Sequence, residues 1–235
     1  YLGELRLIIR EVSEMKDFSH LERLEDGKVK AREARAAVLA LRELVTDHDA
    51  LVRAQEKAEQ RRQEARVATS GQRAVAEGLE RLRADFVALV MESDHRRRGV
   101  ALEKLMYELF CLFDLDPKAS FRITGEQIDG AFSLQGTDYL FEAKWAGRSS
   151  AREMDGFASK VQRKLDNTLG LLLSIDGFEE EGVAAHSKQR PVLLLMTGAD
   201  LMAVFESRVD FAQLLIRKRR YASQTGRILI EFHQM

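Results

Sequence analysis

Cysteine is almost missing from this chain: Cys111 stands alone among 235 residues, which excludes a disulfide framework and a cysteine-rich zinc site. It lies in the apolar run Leu109-Phe110-Cys111-Leu112-Phe113, where a buried, inert thiol is the expectation. Proline is nearly as scarce. Pro117 and Pro191 both fall in the second half, and residues 28–70 contain neither proline nor glycine, so nothing there interrupts a helix. An excess of one charge is missing too. The formal net charge is -1, and no global basic field advertises a nucleic-acid partner, although positive charge gathered on one face escapes that argument. No apolar run approaches the length of a membrane span and no signal peptide is visible, so the expectation is a cytoplasmic protein without a membrane partner.

What the first part of the chain has is helical pattern. Leu2, Leu5, Ile9 and Val12 follow a three-four spacing, and Ser19 with Glu22 matches a capping box before the next helix. Val38, Leu41, Val45 and Val52 form a seam, after which Arg53 to Arg66 is almost wholly polar. Beyond Thr69-Ser70-Gly71 a second seam runs through Val75, Leu79, Leu82, Phe86 and Leu89. A helix from Lys28 to Ser70 would be about 64 Å long, and so thin an apolar stripe needs partner helices. The reading is a helical domain over residues 1–94, a coiled coil or a hairpin turning at Ser70-Gly71, which also makes a homodimer. A monomeric helical bundle is the alternative.

Residues 95–235 alternate helix and strand. Gly99 to Phe113 reads as an amphipathic helix, and Ser120–Ile123, Ile128–Leu134 and Tyr139–Trp145 as three strands. Ser150 with Glu153 caps a helix through about Asn167, and Leu169–Ile175 is an apolar strand of the kind buried on both faces. A short helix Glu179–His186, a strand Val192–Met196, a helix from Asp210 to Tyr221 and a closing strand Arg227–Phe232 complete the order. The class is α/β, with a mixed central sheet that begins as an antiparallel meander and is flanked by helices.

The informative residues sit on the meander. Gln127-Ile128-Asp129-Gly130 and Phe141-Glu142-Ala143-Lys144-Trp145 flank a hairpin turning at Gln135-Gly136-Thr137-Asp138. Side chains alternate faces along a strand, so Glu142 and Lys144 share one side, and in register Asp129 comes level with Glu142. Two carboxylates suit a magnesium ion, which takes oxygen ligands and keeps room for substrate phosphate, with manganese as a substitute. A lysine beside them orients water or neutralises developing charge. Acid-any-lysine is a cheap pattern, however, and also occurs at Glu14, Asp26 and Asp116. From spacing alone, a same-face ion pair on a solvated sheet explains Glu142 and Lys144 equally well.

The stretch Arg98-Gly99-Val100-Ala101-Leu102-Glu103-Lys104-Leu105, the run from Phe121 through Gly130, and Glu142-Ala143-Lys144-Trp145 resemble the PD-(D/E)xK restriction-endonuclease superfamily. The resemblance covers residues 95–235 and is greatest to the Mrr-like branch. It implies a core of helix, three-stranded meander, helix and fourth strand. It assigns Asp129 and Glu142 to the metal and Lys144 to catalysis, and adds Glu103 from the first core helix as a further metal ligand. Ile128 departs from the proline in the superfamily's name. The implied activity is a magnesium-dependent DNA endonuclease of restriction or antiphage defence, with target recognition supplied by a partner protein.

Substrate contacts are expected from Gln127, on the face of Asp129, and from Lys160, Arg163 and Lys164 on the helix after the second motif. The basic run Arg217–Arg220 is better explained by a helix end, and Arg96-Arg97-Arg98 either grips a backbone or solvates a linker. His95, His186 and His233 share no ligand spacing and are assigned to no metal. The competing reading is a catalytically silent nuclease-fold module for DNA binding or dimerisation, or a helical adaptor.

Overall fold

A computed structural model describes residues 2–123, 125–187 and 190–235. Thr124 of the motif run and the side chain of Leu2 lie outside the described residues. The chain divides into two compact units between Ser70 and Gly71.

The first unit contains helix α1 (Leu2–Ser13), a short 3-10 turn (Leu21–Arg23) and the first part of helix α2 (Gly27–Val90). The capping box expected from Ser19 and Glu22 does not form. The Ser19 amide donates to Asp17 instead, and Glu22 pairs with Arg35 at 3.1 Å. Phe18 and Ala31 are buried, and the Arg42 guanidinium donates to the Ser13 carbonyl at 2.9 Å. Leu5, Leu7, Ile8, Leu39, Leu44 and Leu51 remain exposed. The turn expected at Ser70-Gly71 is absent because α2 is helical throughout. A single glycine weakens a helix by only about 1 kcal/mol relative to alanine, too little to end it.

In the second unit, five strands form one mixed sheet in the order β1-β2-β3-β4-β5. They are β1 (Lys118–Ile123), β2 (Glu126–Leu134), β3 (Thr137–Lys144), β4 (Thr168–Ser174) and β5 (Leu193–Thr197). The first three pair antiparallel as a meander, and β3, β4 and β5 pair parallel. With α3 (His95–Leu112) before the meander and α4 (Ala151–Gln162) between β3 and β4, the element order is the one that the resemblance implied.

Burial explains the layering. On one face Phe132, Leu134, Tyr139, Phe141, Leu171, Leu173, Leu194 and Met196 pack with Leu102, Leu105, Met106 and Leu109 of α3. Leu79, Leu82 and Phe86 join that core, so the last turns of α2 belong to this unit. After α5 (Glu180–His186), which precedes β5, helices α6 (Gly198–Phe205) and α7 (Phe211–Thr225) complete the layer. On the other face Leu140, Leu172, Leu193 and Leu195 meet Met154, Phe157, Ala158 and Val161 of α4. That helix lies close against the sheet over Gly170, where a β-carbon would come within 2.8 Å of both Phe157 and Val161.

Caps set the helix ends. Ser150 and Glu153 form the capping box expected at the start of α4, which ends at Gln162 rather than near Asn167. Asp94 caps α3 by accepting from the Arg96 and Arg97 amides, and Asp210 caps α7.

Three further expectations need correction. Cys111 is exposed, because it lies on the side of α3 away from Leu102, Leu105 and Leu109. The segment Arg227–Phe232 is not a strand. Its Ile228 carbonyl accepts from the Leu195 amide, but the Ile230 carbonyl is taken by the Lys218 ammonium and the Phe232 amide by Asp200, so side chains satisfy groups a ladder would use. The run Arg217–Arg220 is not a helix-end cluster, since α7 continues to Thr225. Lys218 is buried against Asp200, and Arg219 holds the β2–β3 hairpin by donating to Thr137 and Gln135. Among the described residues, no helix is long and apolar enough to cross a membrane.

Candidate active site

Three carboxylates gather at the end of the sheet where β2 and β3 part. Their ladder runs from Leu134↔Thr137 to Gly130↔Phe141, and one further step would set Asp129 opposite Glu142. There the alternation of β2 slips. Ile128 and Ala131 both pack on the α4 side, whereas Phe132 and Leu134 pack on the α3 side, which strict two-residue alternation forbids. At the slip, Asp129 Oδ2 accepts from the Ala143 amide at 3.1 Å. A side chain thus replaces a backbone rung and ties the first motif to the second. Gly130 suits the slip because a β-carbon there would lie 3.3 Å from the Lys118 carbonyl oxygen.

Glu142 and Lys144 project together as alternation requires, and they touch: Lys144 Nζ lies 2.9 Å from Glu142 Oε1. The other oxygen, Oε2, accepts from Lys160 Nζ at 2.7 Å. The same ammonium donates to the Gln127 carbonyl at 3.1 Å, so Lys160 of α4 bridges β2 and β3. The Glu142 side chain is only 9% exposed, which separates this arrangement from an ion pair on a solvated sheet.

Glu103 approaches from α3. Its carboxyl is pushed up to about 7, first by burial and then by the charges of Asp129 and Glu142, against the pull of Lys144. Asp129 is raised as well, chiefly by burial and by Glu142, although the Ala143 amide and both lysines oppose the rise. Burial pulls the Lys144 ammonium down, but Glu142, Asp129 and Glu153 outweigh it and leave its pKa above the ordinary value. Three acids against two ammoniums leave surplus negative charge that protons partly neutralise.

The Glu142 strand end is braced by a residue that sequence reading left undecided. Arg98 Nη2 donates to the Trp145 carbonyl at 3.0 Å while its guanidinium stacks over the indole, and Phe86 stacks on the same Trp145 side chain with ring centroids 5.1 Å apart. The cluster Glu103, Asp129, Glu142, Lys144 and Lys160 is therefore one electrostatic unit. Gln127 is exposed beside it and contributes its carbonyl. Arg163 and Lys164 are drawn elsewhere, both toward Glu126. They lie at and beyond the end of α4, not along one exposed helical face as their spacing implied.

Carboxylate oxygens are the donor type that a hard divalent ion takes. Asp129 Oδ1 has no donor among the described residues, while both oxygens of Glu142 are engaged by lysines. Among the described residues, no group of three or more His, Cys, Asp or Glu side chains is placed to hold a metal ion as it stands.

No family model matches the chain, and no curated protein matches it. Two solved structures resemble parts of it. One is the protein of unknown function AF1548, with a TM-score of 0.41 and 13% identity over 53% of this chain and 77% of that chain. The other is the MspJI restriction endonuclease in complex with a 27-mer oligonucleotide, with a TM-score of 0.35 and 14% identity over 64% of this chain and 36% of that chain.

Proposed function

We propose that the second unit is a metal-dependent nuclease that hydrolyses DNA phosphodiester bonds. The observation that carries this reading is the convergence of Asp129, Glu142 and Lys144, with Glu103 raised to about 7 beside them. Burying like charges together costs free energy, and carboxyls perturbed in this way cluster at functional sites. Asp129, Glu142 and Glu103 would hold magnesium, or manganese in its place, and the ion when bound supplies Lewis acidity toward phosphate and lowers the pKa of a bound water.

The chain's own residues do the rest. Asp129 is oriented by the Ala143 amide, so its free oxygen is fixed in direction. Lys144 is held by Glu142 and stays protonated, which suits it to stabilise negative charge on a phosphate in flight. Arg98 and Phe86 clamp Trp145 and so fix the strand end that carries Lys144. Lys160, with Arg163 and Lys164 when released from Glu126, provides cations for the DNA backbone. The exposed apolar side chains of the first unit are proposed to pair with a second copy, giving two active sites for two strands. Target selection is assigned to a partner protein, and the setting to restriction or antiphage defence.

The test is plasmid cleavage in magnesium by the wild-type chain, Lys144→Ala and Asp129→Ala. The variants should lose at least about a hundredfold in rate, the scale of one preorganised transition-state contact. Equal cutting by all three discards the assignment. A second reading, a silent nuclease-fold module, draws on the two lysines that already neutralise Glu142. It predicts DNA binding without cleavage by any of the three.

A further inference from the structure

We infer that Lys160 is a built-in counter-ion which a divalent cation must displace from Glu142, so that α4 sets the metal affinity of the site. The inference rests on the nuclease reading. Lys144 shares its strand with Glu142, but Lys160 arrives from a separate element and takes the second carboxylate oxygen at 2.7 Å. It also holds the Gln127 carbonyl at 3.1 Å, spanning the two strands where their ladder ends.

With both Glu142 oxygens engaged, the carboxylates face lysines and do not close around a common centre. A divalent ion entering between Asp129 and Glu142 therefore competes with an ammonium for the same oxygen. Lys160 can yield because its charge rides on a flexible four-carbon stem and its side chain remains 24% exposed. Once freed, the ammonium is left to pair with a substrate phosphate. The residue thus exchanges one anionic partner for another, and metal and DNA engagement become coupled through it.

Calorimetric titration with manganese, alongside melting in chelator, tests the inference. Lys160→Met should bind the ion about tenfold more tightly than the wild type, since one charge-assisted hydrogen bond no longer opposes entry. Lys160→Gln should behave similarly and serves if Lys160→Met does not fold. Lys160→Arg, which keeps the charge, should stay near wild type, as should Lys164→Met. Tighter binding must vanish in Lys160→Met/Asp129→Asn. Unchanged or weaker affinity in both neutral variants overturns the inference, and leaves the nuclease reading standing if Asp129→Asn alone abolishes wild-type binding. Binding that survives Asp129→Asn, or no binding by any variant, removes the inference and the metal site together.

Discussion

Two ionic clusters in the second unit make opposite use of burial. Asp200 and Lys218 face each other at 2.8 Å with both side chains fully buried; burial pulls the Lys218 ammonium below its ordinary pKa against the opposing charge of Asp200, but each group has its hydrogen-bond partners. Asp200 also accepts from the Thr197 and Phe232 amides, and Lys218 donates to the Ile230 carbonyl. The pair ties α6, α7 and the C-terminal segment into one block. The cluster around Glu142 is less closed and unbalanced, with Glu103 and Asp129 both raised. A closed pair of opposite charges is a structural device, whereas surplus like charge in a partly open site is what, under the proposed function, a cation would relieve.

Breaking the satisfied pair should have the largest effect. Lys218→Met leaves the Asp200 charge buried without its partner and should lower stability by about 3–5 kcal/mol, read by urea unfolding. A loss below about 1 kcal/mol would show that Asp200 finds relief elsewhere. Within the site, Lys144→Ala should cut cleavage by about a hundredfold while leaving urea unfolding nearly unchanged, the reverse of the pattern at Lys218.

Glu103 sharpens the comparison through pH. Its folded pKa, about 7, lies above its ordinary 4.5, so between those values the folded state holds a proton that the unfolded state has released. Its contribution to stability is thus favourable at low pH and is lost as pH rises from about 4.5 through 7. Glu103→Gln should flatten that fall in melting temperature measured in chelator, and an unaltered pH profile would contradict the coupling. The smallest effect on folding should follow Ile8→Lys with Leu44→Lys on the first unit. These exposed substitutions should each change stability by less than about 0.5 kcal/mol but dissociate the proposed dimer in light scattering.

Much of the site was legible because it depends on local rules. Strand alternation placed Glu142 and Lys144 together, the hairpin turn brought Asp129 beside them, and Ser150 with Glu153 marked the start of α4. The bridge from Lys160 was less legible because it depends on how closely α4 lies on the sheet, a matter of tertiary packing over Gly170. A signal existed: Lys160 borders the stripe Met154, Phe157 and Val161, where a long side chain can reach inward past the helix edge. Asp200 and Lys218 were missed for a plainer reason. Nothing in a run of four basic residues distinguishes the one that turns inward, and the same pair withheld the C-terminal segment from the sheet. The unbroken α2 shows the converse error, in which a single glycine was given more weight than helical propensity allows.

The most direct measurement is calorimetric titration of magnesium or manganese into the wild-type chain and into Asp129→Asn, with folding of both checked by circular dichroism. Saturable binding by the wild type that disappears in the folded variant is the predicted result. Equal affinity in the two would contradict the claim that these carboxylates form a metal site.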